Sequence, residues 1–184
     1  MNTLFDLTGR KAIVTGAAQG LAYSMAEGLM ESGAEVAVID ISDRTVEVAR
    51  EFCGRGFRCH GIQADLSRID ELEGVFSRAV DALGGLDIIV NGAGVQRRYR
   101  SEEFPTEEWD FVINVNLNSV WKLCQLAGRH FLENGGGKII NIASMLSFLG
   151  GYTVAAYAAS KGGVAQLTKA LSNEWAGKNI NINA

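Results

Sequence analysis

Ala12-Ile13-Val14-Thr15-Gly16-Ala17-Ala18-Gln19-Gly20-Leu21-Ala22, joined by a helical stretch to Glu35-Val36-Ala37-Val38-Ile39-Asp40, is the passage that decides the architecture. Ala12 to Thr15 is a short apolar run between Lys11 and Gly16, which reads as a buried strand. From Gly20 the pattern turns helical as far as Ser32, where Gly33 stops it. Glu35 to Asp40 is a second strand, and it ends on an acid. Strand, glycine turn, helix and strand make a βαβ unit of the kind that binds dinucleotides. Gly16 permits the tight turn. Gly20 lets the backbone approach a phosphate seated on the helix N-terminus, where free N–H groups and the dipole attract anions. Asp40, about twenty residues further on, can accept hydrogen bonds from a ribose diol. Ala22 stands where a third glycine is common, and its methyl predicts slightly looser packing there.

The alternation continues outward. Asp43 to Gly54 reads as a helix capped by Ser42 or Asp43. Phe57 to Gln63 is a third strand, running into Ala64-Asp65-Leu66-Ser67. Arg68 to Leu83 has helical apolar spacing and stops at Gly84-Gly85. Leu86 to Val90 is a fourth strand, running into a second small-residue turn, Asn91-Gly92-Ala93-Gly94. Thr106 is expected to cap a long helix to Gly135, with Glu107 and Glu108 in its first turn, where acids suit the dipole. Asn114, Asn116 and Asn118 lie inside it, although asparagine is a poor interior helix residue. Lys138 to Ala143, the helix Val154 to Ala176, and Asn179 to Ala184 supply a fifth strand, a last helix and the start of a sixth strand. Apolar strands alternating with helices imply a parallel sheet covered on both faces, whose ligands sit at the strands' carboxyl ends.

Composition narrows the partners. A chain of 184 residues fits one domain, and its net charge of -4 offers no basic footprint for nucleic acid. Twenty-two glycines beside one proline suit tight turns and close backbone approaches. Cys53, Cys59 and Cys124 have no metal-type spacing and read as reduced thiols, while His60 and His130 are isolated; no metal site is expected. Met1 to Arg10 lacks a signal-peptide core, and no run is long enough to cross a bilayer. These features predict a cytoplasmic protein with a small-molecule substrate and no membrane partner.

Tyr157 and Lys161 stand four apart in a helical segment, so they share one face. A phenol ordinarily titrates near about 10, and a neighbouring cation favours its charged form. That is the make-up of a general base for an alcohol. Ser144, at the end of the fifth strand run, can reach the same place.

Together, Thr15 to Ala22, Asp65-Leu66, Asn91 to Gly94, Asn114-Val115-Asn116, Ser144 and Tyr157-Ala158-Ala159-Ser160-Lys161 resemble the short-chain dehydrogenase/reductase family along the whole chain. The resemblance implies a Rossmann-type α/β fold, a doubly wound parallel sheet with helices on both faces. It implies Tyr157 as catalytic acid/base, Lys161 holding the nicotinamide ribose, Ser144 on the substrate oxygen, and Asn116 holding a water that relays protons through the lysine. Cofactor contacts would come from Gly16, Gln19, Gly20, Leu21, Asp40, Asp65, Leu66, Asn91, Ala93, Gly94, Tyr157 and Lys161. Gly92 departs from the family's frequent second asparagine. The family normally continues past Ala184 with a Pro-Gly turn, a substrate-covering loop and a last strand, so the chain reads as C-terminally truncated. A homotetramer is implied, with the helices Thr106–Gly135 and Val154–Ala176 in one interface.

Gly136 to Phe148 and Asn173 to Ala176 look like the branch acting on sugar acids, the 2-keto-3-deoxygluconate dehydrogenases and their gluconate 5-dehydrogenase relatives. Arg97 and Arg98 follow the second turn, and a guanidinium matches a substrate carboxylate; a solvated surface is the alternative. Asp40 favours NAD over NADP, with Arg44 the residue that can still meet a phosphate. The competing functions are a 3-oxoacyl carrier-protein reductase, for which basic residues near the glycine turn are missing, and a non-catalytic nucleotide-binding protein.

Overall fold

Lys11–Thr15 (β1) forms a strand because four consecutive side chains after Lys11 are buried, with helices packed on either side of the sheet. The computed structural model describes residues 3–184; the part of the Met1–Arg10 reading that rests on Met1 and Asn2 lies outside them. Five further strands follow: Glu35–Asp40 (β2), Cys59–Gln63 (β3), Ile88–Asn91 (β4), Gly137–Asn141 (β5) and Ile180–Asn183 (β6). All pair in parallel, in the order β3-β2-β1-β4-β5-β6. The order reverses between β1 and β4, and such a switch point opens a crevice at the strands' carboxyl ends.

The helices are Gly20–Glu31 (α1), Thr45–Gly54 (α2), Leu72–Leu83 (α3), Thr106–Ile113 (α4), Ser119–Glu133 (α5) and Ala155–Trp175 (α6). Ala12, Val14, Val36, Val38, Ile88 and Val90 meet α1 and α2 on one face. Ile13, Ile39, Ile89, Ile139, Ile180 and Ile182 meet α3, α5 and α6 on the other. Helices therefore lie on both faces of a Rossmann-type sheet. On the first face, however, their cover ends at β4, and Lys138, Ile140, Asn181 and Asn183 are exposed there.

Three local expectations are corrected. Arg44, not Ser42 or Asp43, is the N-cap of α2; the Ser42 hydroxyl accepts from its backbone N–H at 3.2 Å. Pro105, not Thr106, is the N-cap of α4, and its fixed φ of −64° suits the turn into a helix. The long helix from Thr106 runs to Glu133 but is not α throughout: Asn114–Asn118 is a π turn between α4 and α5. This explains the asparagines. Asn118 Nδ2 donates to Asn114 Oδ1 at 2.7 Å across the widened turn, while Asn116 faces the protein interior and is fully buried. Such turns often sit at functional sites.

Candidate active site

A cleft of about 390 Å³ opens at the carboxyl ends of β1 and β4. Gly16, Gln19, Gly20 and Leu21 form its near wall, Asp40, Asp65 and Leu66 one end, and Ala93 and Gly94 the far wall. Gly16 has φ +73° and donates its N–H to Ile39 O at 2.7 Å; a Cβ there would lie 2.6 Å from Ala93 Cα. Gly20 has φ +65°, left-handed backbone that favours glycine. Among the described residues no side chain caps α1, so its first N–H groups face the cleft side without a side-chain acceptor.

Asp40 is held by two backbone donors, Ala18 N–H to Oδ2 and Ser42 N–H to Oδ1, each at 3.0 Å. Both oxygens keep lone pairs for further donors. Asp65 Oδ1 accepts from Ser67 N–H at 2.9 Å and from the Ser67 hydroxyl at 2.8 Å, which fixes the turn after β3. Thr15 has a role that its position in the sequence does not announce. Its buried hydroxyl accepts from Gly92 N–H at 3.1 Å and Ala93 N–H at 3.2 Å, tying the two strand ends together. A hydroxyl closing an otherwise apolar strand was the available signal.

Ala22 and Gly92 meet. A Cβ on Gly92 would lie 2.9 Å from the Ala22 methyl and 2.8 Å from Thr15 O. The looser packing expected at Ala22 is therefore corrected: the methyl is 5% exposed and fills space left by the absent side chain at Gly92.

Asn91 is a second correction. Its side chain lies beneath the cleft rather than in its wall, 2% exposed. Asn91 Nδ2 donates to Asn141 Oδ1 at 2.8 Å, Asn141 Nδ2 to Thr168 Oγ1 at 3.0 Å, and the Thr168 hydroxyl to Val164 O at 2.8 Å. This buried chain locks β4, β5 and α6 together, and so sets where α6 holds its own side chains.

On α6, Lys161 is 3% exposed and its Nζ lies 5.7 Å from the centre of the Tyr157 ring. Lys161 Nζ donates to Ile142 O at 2.6 Å. A Cβ on Gly94 would lie 3.6 Å from both Lys161 Nζ and Asn116 Oδ1, so the cleft wall and the α6 pair adjoin. Both Asn116 amide protons are engaged: Oδ1 accepts from Val95 N–H and Nδ2 donates to Val95 O, each at 2.8 Å, and Nδ2 also donates to Ser160 Oγ at 3.1 Å. The Ser160 hydroxyl in turn donates to Tyr157 O at 2.8 Å. The Asn116 amide thus joins the turn after β4 to α6, and Oδ1 keeps one lone pair for a further donor.

Burial pushes the Lys161 ammonium from 10.5 down to about 8. Between those values the unfolded chain holds a proton that the folded chain has released, so this group makes stability rise with pH across that window; below it, the cost of burying the charge is present in full. Lys161→Met has no such charge. The wild type is therefore expected to gain stability relative to the variant between about pH 8 and pH 10, read from paired thermal melts. Parallel pH profiles for the two proteins would sink this expectation.

Arg97 is already paired. Its Nε is 2.7 Å from Glu108 Oε2 and its guanidinium lies 4.9 Å above the Phe111 ring. Arg98 is exposed and, among the described residues, has no ion-pair partner. Cys59 and Cys124 are buried thiols pushed up to about 12, unsuited to nucleophilic work. Among the described residues no three His, Cys, Asp or Glu side chains gather as metal ligands, and no helix is long and apolar enough to cross a membrane.

The family model described as short chain dehydrogenase matches residues 10–184. The 2-dehydro-3-deoxy-D-gluconate 5-dehydrogenase of Escherichia coli K12 is 46% identical over 98% of this chain and 71% of its own length. The enzyme of that name from Bacillus subtilis 168 is 41% identical over 100% of this chain and 72% of its own. The crystal structure of a gluconate 5-dehydrogenase from Burkholderia cenocepacia, in complex with NADP and tartrate, superposes with a TM-score of 0.92 at 36% identity, covering 97% of this chain and 71% of that one.

Proposed function

The chain belongs to the short chain dehydrogenase family, and on that premise we propose that it moves a hydride between NAD and the secondary alcohol or ketone of a sugar acid, of the kind its 2-dehydro-3-deoxy-D-gluconate 5-dehydrogenase relatives are named for. It is an oxidoreductase acting on CH–OH groups of small molecules. The observation that carries the proposal is the junction at Gly94, where the cleft adjoins Lys161 and, through it, Tyr157.

The cleft's donors fit a dinucleotide. The uncapped N-terminus of α1 suits its phosphates, and Asp40, already oriented by Ala18 and Ser42, suits a ribose diol. A nicotinamide, when bound there, would supply the hydride acceptor or donor. Tyr157 takes the hydroxyl proton in oxidation and returns it in reduction. The Lys161 ammonium faces the negative charge left on the Tyr157 oxygen. Ser144 Oγ accepts from Leu146 N–H at 3.2 Å; this uses a lone pair and leaves its proton to donate to the substrate oxygen. The test follows nicotinamide absorbance with 2-keto-3-deoxygluconate, gluconate and 5-ketogluconate and each cofactor. Turnover of at least one acid is expected, and none with any acid overturns the proposal.

NAD over NADP is part of the same proposal. The Asp40 carboxylate opposes a 2′-phosphate, and the Arg44 guanidinium is engaged by Glu47 at 3.3 Å and Glu51 at 3.5 Å. The Burkholderia cenocepacia relative holds NADP, so the preference here rests on Asp40. Asp40→Ala is expected to weaken NAD about tenfold and erode the preference; an unchanged NAD:NADP ratio refutes it. With Arg97 paired to Glu108, the substrate carboxylate falls to Arg98. Arg98→Ala is expected to raise KM for the acid about tenfold with little change in kcat, and an unchanged KM removes Arg98 from the site.

Homotetramer assembly and a cytoplasmic location complete the proposal. Trp109, Trp121 and Leu132 leave large apolar side chains exposed on α4 and α5, which suits burial against another copy. The three free thiols suit a reducing compartment. A monomer in sedimentation would overturn the tetramer.

A further inference from the structure

We propose that Ser147 is a positioning residue for this reaction, its one hydroxyl fixing Ser144 against the turn of α6 that ends at Lys161; the inference rests on the dehydrogenase reading above. Ser144 is the N-cap of a short 3-10 turn, Met145–Ser147. Its backbone N–H donates to Ser147 Oγ at 3.2 Å, and the Ser147 hydroxyl donates to Lys161 O at 2.7 Å. A hydroxyl has one proton and two lone pairs, so donation to Lys161 O orients the oxygen to accept from Ser144. Lys161 lies inside α6, where its carbonyl already belongs to the helical ladder. The second bond to that carbonyl is therefore not needed to satisfy the helix. What it adds is a fixed spacing between the backbone of the substrate-oxygen donor and the turn carrying the Tyr157–Lys161 pair. The Ser144 hydroxyl is held within its own turn by Leu146 N–H. Without the Ser147 hydroxyl that turn keeps the Ser144–Leu146 bond and its packing on α6, but loses the hydrogen-bonded link that fixes the Ser144 backbone to Lys161.

Catalysis depends on such spacing, because small misplacements of a reacting group cost large factors in rate. Ser147→Ala is expected to lower kcat about tenfold, with the Kd for the dinucleotide held within about twofold, and Ser147→Thr is expected to restore most of the rate. Because the effect passes through Ser144, adding Ser147→Ala to Ser144→Ala is expected to cost nothing further, the mark of two residues acting as one unit. Hydrogen exchange at the Ser144 amide is expected to quicken in Ser147→Ala. An unchanged kcat in Ser147→Ala, or the same tenfold loss in the Ser144→Ala background, overturns the inference. If the wild type turns over no sugar acid, the functional reading fails instead, and unchanged protection of the Ser144 amide then overturns the link itself.

Discussion

Tyr157→Phe is expected to lower kcat about a thousandfold, within the range that removal of a general acid/base costs. The substitution removes one oxygen and little else. The ring remains beside the Lys161 ammonium, 5.7 Å from its centre, and that contact needs only the π face. The Ser160 hydroxyl bonds the backbone carbonyl of Tyr157, not its phenol, so the link to Asn116 and the turn after β4 survives. Lys161 keeps its bond to Ile142 O. The fold and the cleft should therefore be retained. Steady-state rates, a dinucleotide titration and a thermal melt distinguish the cases: lost turnover with binding and melting temperature near wild type is the expected pattern. A variant keeping a tenth or more of wild-type kcat would remove Tyr157 from the proton-transfer role.

Gly16→Ala is expected to be among the most damaging small substitutions at the cleft. Its Cβ would lie 2.6 Å from Ala93 Cα and 2.9 Å from Ala93 N, both backbone atoms that cannot rotate away. Its φ of +73° adds strain for any residue with a side chain. Overpacking and left-handed strain together cost about 3 kcal/mol, a large share of an ordinary domain's stability. The clash also pushes apart the strand ends that Thr15 joins through Gly92 and Ala93, so the dinucleotide should bind at least about tenfold more weakly. Chemical denaturation reads the first effect as a lower midpoint with an unchanged slope. A midpoint at the wild-type value would mean that the loop after β4 yields freely, and would refute the argument.

The sheet was legible because its signals are local. Each strand is read from a short apolar run, the first stops at a glycine, the second ends on Asp40, and Ser144 follows the fifth in plain view. What escaped the sequence depends on who meets whom. Arg97 reads as a free guanidinium until α4 brings Glu108 to it. Asn91 sits at a strand end like a wall residue, yet the pleat turns its side chain down to Asn141. The asparagines at 114, 116 and 118 flagged something irregular, but nothing in their spacing specifies a π turn. The open face over Lys138 and Ile140 was hidden because alternation within β5 is legible only once α1 and α2 are seen to stop at β4. In the sequence Ser147 is one more polar residue, since its partners are Ser144 and a carbonyl on another element.

The contact between Ala22 and Gly92 bears on exchanging residues between related chains. In this backbone a Cβ at position 92 meets the Ala22 methyl at 2.9 Å and Thr15 O at 2.8 Å. Glycine at position 22 would remove the first obstacle and leave the second. A side chain transplanted to position 92 therefore needs the end of β1 to shift as well as the methyl on α1 to go, and swapping either residue alone carries only part of the trait.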